Sequence, residues 1–178
     1  APVWLTPIDL VFAAADSGAM NDKATMIDGT ALGAELNDAE ARILGDLMTG
    51  RELADGDFLI EDGASDDALH VILMGKVEVV KRTGGDDYAS LAVLREGELA
   101  GELSFVDGTP HTVGLRALCE TQVLTLSRED FEGIIESQPQ LVYKVMRAVV
   151  RSAHRIVHRM NTEFVELSNY IFKQHGRY

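Results

Sequence analysis

The sequence reads Gly97-Glu-Leu-Ala-Gly-Glu-Leu-Ser-Phe105 and, after one valine, Asp107-Gly-Thr-Pro-His-Thr-Val113. Gly101 precedes a carboxylate, Glu102, in a turn that leads through a short helical turn or loop into a strand. Such a loop can present successive backbone N–H groups to an anion, while the carboxylate accepts hydrogen bonds from hydroxyl groups. A ligand that combines a phosphate with a sugar fits this chemistry.

Short β-rich runs separated by turn residues surround this stretch, between Arg51 and Leu126. The predicted strands are Phe58–Ile60, Leu69–Met74, Val77–Lys81, Ala89–Leu94, Val113–Leu118 and Gln122–Leu126. The separators are rich in Gly and Asp, which favour turns. Many short strands at this spacing indicate a β-sandwich or a small barrel.

Helices are predicted on both sides of the β-rich region. Asn37 is a suitable N-cap, acidic residues follow it in the first turn, and one apolar stripe ends before Gly50. That stripe consists of Ala41, Ile43, Leu44, Leu47 and Met48. After the last strand, Ser127 begins a pattern similar to a capping box, and Phe131, Ile134 and Ile135 supply the buried side of a second helix.

A much longer helix is predicted from Pro139 up to Gly176, because proline suits the first helical position and no helix-breaking residue intervenes. Apolar residues recur at alternating spacings of four and three, which is a heptad pattern. The predicted series is Val142, Met146, Val149, Ala153, Ile156 and Met160, followed after a stutter by Phe164, Leu167 and Ile171. A small β-domain cannot cover so long a stripe, so we expect a homodimer through this helix.

Composition narrows the function classes. The chain has 178 residues, 46% of them hydrophobic and 25% charged, which is typical of a globular protein, and it has no apolar run long enough to cross a membrane. A single cysteine, Cys119, excludes an internal disulfide and a four-cysteine iron–sulfur centre, and predicts a cytoplasmic location.

Charge is unevenly distributed. The net charge of −13 disfavours direct binding to nucleic acid. Residues 1–139 hold nine basic and 27 acidic side chains, whereas residues 140–178 hold seven basic and two acidic ones. The basic stripe of the long helix can therefore pair with the acidic body.

Taken in order, these elements resemble the cyclic-nucleotide-binding domain family, found in the bacterial cAMP receptor protein group and in eukaryotic kinase regulatory subunits. The resemblance covers roughly residues 30–160. It rests on the helix before the β-region, the glycines Gly56, Gly63 and Gly75, the Gly101-Glu-Leu-Ser104 stretch, and Leu115-Arg-Ala-Leu118 leading to Leu126-Ser-Arg-Glu-Asp-Phe131. In the family, an eight-stranded jelly roll holds cAMP or cGMP and precedes a long helix that often dimerises.

The resemblance implies a mostly β fold: an eight-stranded jelly-roll barrel, that is, a cupin-like double-stranded β-helix, with an N-terminal helix and a long C-terminal dimerisation helix. It divides the chain into an N-terminal extension (residues 1–29), a cyclic-nucleotide-binding-like domain (30–138) and the long helix (139–175). We interpret the extension, which has no sustained hydrophobic period, as a mobile arm or a packed-down segment.

The resemblance also implies site residues. Gly101 and Glu102 match the positions where the backbone approaches the sugar-phosphate and a carboxylate binds the ribose 2′-hydroxyl. Leu103 and Ser104 fit the same pattern, with Ser104 as a donor to the phosphate, and Thr112 is a further neutral donor. Where the family has an arginine for the phosphate, this chain has His111. Loss of that charge-assisted contact costs about 1.5–3 kcal/mol, or about 10–150-fold in affinity.

Each of these residues has an alternative interpretation. Glu102 is either a ribose ligand or a loop carboxylate paired with a neighbouring arginine. His111 is either a pH-sensitive phosphate contact or an exposed loop histidine. Arg116 would replace the missing charge if it pointed inward, but strand alternation places it opposite Leu115 and Ala117, towards solvent.

The remaining histidines do not form a predicted metal or catalytic site. His154 and His158 are four residues apart, a spacing that can chelate a metal, but no third ligand is in view and they flank the basic stripe. His70 and His111 are isolated, which argues against a metal-dependent cupin enzyme. We predict no catalytic residues, no metal and no enzymatic activity.

Two functions remain. The first is a regulatory module that binds cAMP or cGMP and signals through its long helix to a downstream protein partner. The second is a degenerate domain without a nucleotide ligand, retained as a dimeric interaction module. Only four residues follow Gln174, so the helix-turn-helix domain of the bacterial regulators is missing; either a partner supplies the output or the sequence is a fragment of a longer protein. We predict no direct DNA binding.

Overall fold

The computed structural model describes residues 22–85 and 87–175. Its strands are β1 (Thr49–Leu53), β2 (Phe58–Ile60), β3 (Leu69–Met74), β4 (Lys76–Gly84), β5 (Asp87–Arg95), β6 (Leu99–Ala100), β7 (Gly114–Ala117) and β8 (Thr121–Leu126). Its helices are α1 (Asp22–Asp28), a 3-10 turn (Gly33–Glu35), α2 (Asp38–Leu47), α3 (Glu102–Asp107), α4 (Arg128–Gly133) and α5 (Pro139–His175). None of the helices within these ranges is both long and apolar enough to cross a membrane.

The eight strands form two antiparallel sheets of four strands each. One sheet has the order β1-β8-β3-β6 and the other has the order β2-β7-β4-β5. This is the strand order of a jelly roll, so the predicted mostly β fold is confirmed. Within the described ranges the strand pairing leaves two separate sheets and does not close them into one continuous barrel.

The central strands β8 and β3 of the β1-β8-β3-β6 sheet are buried on both faces. Ile72 and Val123 point into the sandwich core between the sheets, where they pack with Leu59, Val77 and Leu115. Their chain neighbours Val71 and Leu124 point the other way, into a second core that the helices cover. Burial on both faces explains why β3 has an almost continuous apolar run and no alternating pattern.

Two strands are absent from the sequence prediction. Strand β1 exposes four of its five residues, with only Leu53 buried, so it shows no apolar alternation. Strand β6 has only two residues, which is too short for a period to appear. The β4–β5 hairpin is also longer than predicted, because its outer ends are polar and exposed.

The predicted helices before and after the β-region are present. Helix α2 begins with a complete capping box: the Asn37 side chain accepts from the Glu40 backbone N–H, and the Glu40 carboxylate accepts from the Asn37 N–H, both at 2.9 Å. The Ser127 hydroxyl caps α4 by accepting from the Asp130 N–H at 3.1 Å.

Part of the N-terminal extension is helical. Helix α1 buries Ile27 in the helix-covered core, and Lys23 donates to the carbonyl of Met48 at 2.8 Å. A Cβ on Gly45 of α2 would lie 3.2 Å from the Lys23 Cβ, so the two helices are in close contact. The packed-down interpretation therefore fits residues 22–28, while residues 1–21 lie outside the described ranges.

Helix α5 is continuous from Pro139 to His175, and its predicted end at Gly176 lies outside the described residues. Its first half packs on the domain through Leu141, Val145, Ala148 and Val149, all of which are buried. Beyond Arg159 its apolar side chains are exposed.

The predicted heptad series is wrong in its first half. Val149 is buried against the domain, and Val142 packs on the same core, so neither side chain is available to a partner helix. The exposed residues repeat every seven positions without a stutter: Tyr143, Val150, Val157, Phe164 and Ile171. Ala153, Met160 and Leu167 lie between them, whereas Met146 packs on the same core as Val142. We call the eight residues Tyr143, Val150, Ala153, Val157, Met160, Phe164, Leu167 and Ile171 the outer seam.

Candidate functional site

The residues Gly101–Ser104, which we call the cassette, directly follow β6 and include the first three residues of α3. Gly101 is the residue before the helix and has φ of +81°, a left-handed conformation that favours glycine. A Cβ at this position would lie 2.7 Å from the carbonyl oxygen of Ala68 and 3.3 Å from Cδ2 of His70. Both the backbone angle and the close approach therefore require glycine at Gly101.

Glu102 is the first residue of α3, and its carboxylate is directed towards helix α5. The residue is only 7% exposed, and its Oε1 accepts a hydrogen bond from the Ser152 hydroxyl at 2.6 Å. Burial raises the pKa of Glu102, and the Ser152 hydrogen bond partly opposes that rise. The hydrogen-bond partner is a serine, not the neighbouring arginine of the alternative interpretation; Arg155 acts on Glu102 only through its charge.

His111 is 9% exposed, so its interpretation as an exposed loop histidine is wrong. Its Nε2 lies 2.7 Å from the carbonyl oxygen of Asp66, and its Nδ1 lies 3.3 Å from the Ser104 hydroxyl. A carbonyl can only accept, so Nε2 carries a hydrogen. In the neutral ring, Nδ1 then accepts from Ser104. His111 thus joins the cassette to the β2–β3 loop.

Backbone hydrogen bonds hold the same loop in place. The His111 N–H donates to the Ala64 carbonyl at 2.9 Å, and the Gly63 N–H donates to the His111 carbonyl at 2.9 Å. Lys81 donates to the Asp62 carboxylate at 2.9 Å and to the Thr112 carbonyl at 2.6 Å. The segment Asp62–Asp66 therefore covers His111.

The six predicted site residues fall into three groups. Ser104 and His111 contact each other and are both buried, with Ser104 only 4% exposed. Glu102 is buried separately, against α5. Leu103 is 68% exposed on the outer side of α3, and Thr112 is exposed beside Lys81. Gly101 supplies the turn that joins these groups.

Three further residues contribute to the site without having been predicted. Ser152 contacts Glu102 from α5, Asp66 supplies the carbonyl for His111, and His70 lies beneath Gly101. His70 is buried, with Nδ1 2.9 Å from the Thr125 hydroxyl and Nε2 3.5 Å from the Asp66 carboxylate. The neighbouring His70 lowers the pKa of Asp66. A small polar residue on the inner face of the long helix was the only sequence indication of Ser152.

Arg116 lies on the outer face of its sheet, as strand alternation predicted. Its guanidinium pairs with Glu78 at 2.8 Å and lies over the rings of Phe58 and Tyr88 at 5.9 and 5.6 Å. Arg116 is therefore engaged away from the cassette. His154 and His158 are exposed, and within the described ranges no three His, Cys, Asp or Glu side chains are placed to hold a metal ion.

The basic stripe of α5 pairs with acidic residues of the body. Lys144 contacts Glu40 at 2.6 Å, Arg147 contacts Glu35 at 3.5 Å, Arg151 contacts the same Glu35, and Arg159 contacts Glu98 at 3.9 Å. These pairs link α5 to α2, to the 3-10 turn and to the residue before β6.

Arg128 holds the other end of the cassette helix. Its guanidinium donates to the carbonyls of Phe105 at 2.8 Å and Ser104 at 2.5 Å, near the C-terminal end of α3. A cation at this end of a helix is favourable, because the last carbonyl groups lack partners within the helix. The cassette is thus held by α4 at one end and by α5 at the other.

Comparison with known proteins supports the interpretation of this fold. The family description "Cyclic nucleotide-binding domain" matches residues 50–138. A solved cyclic nucleotide-binding domain from Methylobacillus flagellatus KT is 22% identical, with a TM-score of 0.73 over 85% of each chain. The N-terminal domain of a transcriptional regulator from Streptomyces coelicolor A3(2) is 33% identical, with a TM-score of 0.63 over 76% of this chain and 94% of that one.

Curated relatives match over a smaller share of their own length. Neuropathy target esterase sws from Drosophila melanogaster is 25% identical over 134 residues, which is 71% of this chain and 9% of that protein. The chain therefore spans about a tenth of the length of the curated relatives it matches first. The family match, the jelly-roll topology and the Gly101–Ser104 cassette agree, and the chain belongs to the cyclic nucleotide-binding domain family.

Proposed function

We propose that this chain is a non-catalytic regulatory module that binds cAMP or cGMP at the cassette and signals through helix α5. The observation that carries the proposal is Glu102: a carboxylate buried at the start of α3, directly after the glycine turn, with a hydroxyl as its hydrogen-bond donor. A site built to accept a hydrogen bond from a hydroxyl suits the ribose of a nucleotide. The family to which the chain belongs supports the nucleotide as the ligand class.

At the end of the site proposed to bind the phosphate, His111 and Ser104 form one hydrogen-bonded pair. In the neutral state the Ser104 hydroxyl hydrogen is directed to Nδ1 of His111, since Nε2 donates to Asp66. Protonation of His111 places a hydrogen on Nδ1, which reverses this bond and frees the Ser104 hydroxyl to donate to a phosphate oxygen. The imidazolium also supplies a positive charge. Binding of an anionic nucleotide is therefore expected to strengthen as the pH falls.

A second candidate function is a dimeric interaction module that has lost its nucleotide ligand. The burial of Glu102, Ser104 and His111 favours this reading, because each side chain already has an internal hydrogen-bond partner. A ligand reaches these groups only if α5 or the Asp62–Asp66 segment moves.

Calorimetric titration with cAMP and with cGMP at pH 6 and pH 7.5 distinguishes the two functions. The chain is compared with His111→Arg and with the control His158→Arg, which adds the same charge at an exposed position on α5. We expect tighter binding at pH 6 for the chain and the control. His111→Arg should bind about 10–150-fold more tightly at pH 7.5 and lose the pH dependence. Absence of heat from all three, each folded by circular dichroism, would contradict nucleotide binding and favour the second function.

The outer seam supports the proposal of a homodimer. Three of the five residues at one heptad position, Val150, Val157 and Ile171, are β-branched, and Met160 and Leu167 occupy the other position, a pattern that favours two parallel strands. Light scattering at tens of micromolar should give twice the chain mass of 19.4 kDa. A mass equal to one chain would contradict the dimer.

The molecule that receives the signal from this module is proposed to be a protein. We infer a downstream protein partner and no direct contact with nucleic acid, because the body is strongly acidic. A salt-sensitive shift of duplex DNA at sub-micromolar protein would contradict this. The cytoplasmic location inferred from the single cysteine stays a prediction.

A further inference from the structure

Helix α5 contacts the cassette at the atom that the proposed ligand needs. Ser152 is 3% exposed, and its hydroxyl donates to Oε1 of Glu102 at 2.6 Å. We propose that Ser152 is a built-in competitor for the ligand: its hydroxyl and a ribose hydroxyl exclude each other at Glu102, so nucleotide binding releases α5 from the cassette. This inference rests on the proposed function.

The exclusion follows from the burial of the carboxylate. A carboxylate in water can accept several hydrogen bonds, but Glu102 is only 7% exposed and contacts Ser152 of α5. A ribose hydroxyl within hydrogen-bond distance of Oε1 would occupy the space of the Ser152 side chain. Because a buried carboxylate without a donor is strongly unfavourable, one of the two hydroxyls is always required.

The remaining contacts of α5 allow such a release. All the buried apolar anchors of the helix, from Leu141 to Val149, precede Ser152 in the chain. On the other side of Ser152, Arg159 contacts Glu98 at 3.9 Å, and both side chains are about one-third exposed. Exposed ion pairs contribute little stability. The apolar anchors therefore hold the helix on the domain while the segment from Ser152 onwards can separate from the cassette.

The exchange sets the affinity of the site. In the free protein Glu102 is satisfied by Ser152, so a nucleotide gains only the difference between two hydrogen bonds of the same type. Removal of the Ser152 hydroxyl leaves Glu102 without this donor. The hydrogen bond from the nucleotide's own hydroxyl then contributes more to the binding free energy. The effect is specific for ligands that carry a 2′-hydroxyl.

Paired titrations with cAMP and 2′-deoxy-cAMP at pH 6 test this competition in the full chain. Ser152→Ala is expected to bind cAMP about three- to tenfold more tightly, the range of one hydrogen bond, and to bind 2′-deoxy-cAMP unchanged. The control Ser168→Ala, farther along the same helix, should change neither affinity. Amide hydrogen exchange of residues 151–159 should be faster in ligand-free Ser152→Ala and in the cAMP complex of the parent chain.

The titrations distinguish a failure of the Ser152 competition from a failure of nucleotide binding itself. If the parent binds cAMP and Ser152→Ala gains nothing, or gains equally for both nucleotides, the competition is overturned while the proposed function stands. If the parent, Ser152→Ala and the double variant Ser152→Ala/His111→Arg all bind neither nucleotide, the proposed function is overturned and the competition with it.

Discussion

Helix α5 carries one leucine in each half, and the two lie in opposite environments. Leu141 is 1% exposed in the helix-covered core, whereas Leu167 is 57% exposed on the outer seam. Both belong to apolar series with helical spacing, so periodicity alone does not separate them. The comparison shows that one helix has two environments: the buried side chains up to Val149 pack on the domain, and the apolar side chains beyond Arg159 are exposed.

The largest effect is expected from truncating the two leucines. Leu141→Ala should lower the free energy of unfolding by about 2–5 kcal/mol, since it removes buried methyl groups and leaves a cavity. Leu167→Ala should change the free energy of unfolding of the dilute chain by less than about 0.5 kcal/mol, since its side chain is exposed. Urea denaturation at low protein concentration measures both.

Dimerisation should be affected in the opposite way, with the larger effect for the leucine of the exposed half. Leu167→Ala should weaken the proposed dimer in sedimentation at increasing protein concentration, and Leu141→Ala, while folded, should not. Equal losses of stability in dilute solution would show that the two halves do not differ as described.

A smaller effect is expected from the ion pairs of the first half. Glu35, whose side chain is 8% exposed, contacts both Arg147 and Arg151. Glu35→Gln should lower the free energy of unfolding by only about 0.5–1 kcal/mol. The loss is small because the two arginines are about half exposed and regain water when the carboxylate is removed. The loss should shrink in 1 M salt. Glu166→Gln in the exposed half is the matched control, and a comparable loss there would contradict the assignment.

The smallest effect is expected at Glu102, where α5 contacts the cassette. Burial raises the pKa of Glu102, so the folded state favours the protonated form; the stability it contributes is present below its ordinary pKa and is lost as the pH rises through the raised value. Glu102→Gln keeps an acceptor for Ser152 and carries no charge. It should raise the melting temperature at pH 7.5, with the difference disappearing near pH 4.

A control of opposite sign is available on α2. Lys144 lowers the pKa of Glu40, so its charged form stabilises the fold above its ordinary pKa. Glu40→Gln should therefore lower the melting temperature at pH 7.5. A melting temperature of Glu102→Gln that falls at pH 7.5 would show that the ionised carboxylate is stabilising in the folded chain.

The sequence predicted the elements better than their environments. Strands β2 and β3 and the start of α5 match the predicted ranges, because apolar runs and a proline mark them locally. Strand β1 escaped prediction because its stability comes from pairing with β8, more than 65 residues later in the chain. Local patterns do not contain such information.

The same limit applies to the site. The glycine turn at Gly101 and the short helical segment after it were predicted at these positions, since the glycine and the carboxylate are adjacent in the chain. The burial of His111 was not, because its partner carbonyl at Asp66 lies 45 positions earlier. Likewise, Ser152 is 50 positions from Glu102. Which hydroxyl satisfies a carboxylate depends on how α5 packs, and that follows from the whole core.

Arg128 gives the cassette a mechanical link that does not pass through Ser152. It holds the carbonyls of Ser104 and Phe105, and the Phe105 ring packs on Phe131 with centroids 5.1 Å apart. Two hydrogen bonds and one aromatic contact therefore join α3 to α4. Helix α4 ends at Gly133 and α5 begins at Pro139, so the cassette is connected to the start of α5 as well as to Ser152 farther along the helix. In the signalling proposed above, the long helix would therefore be coupled to the cassette at two points along its length.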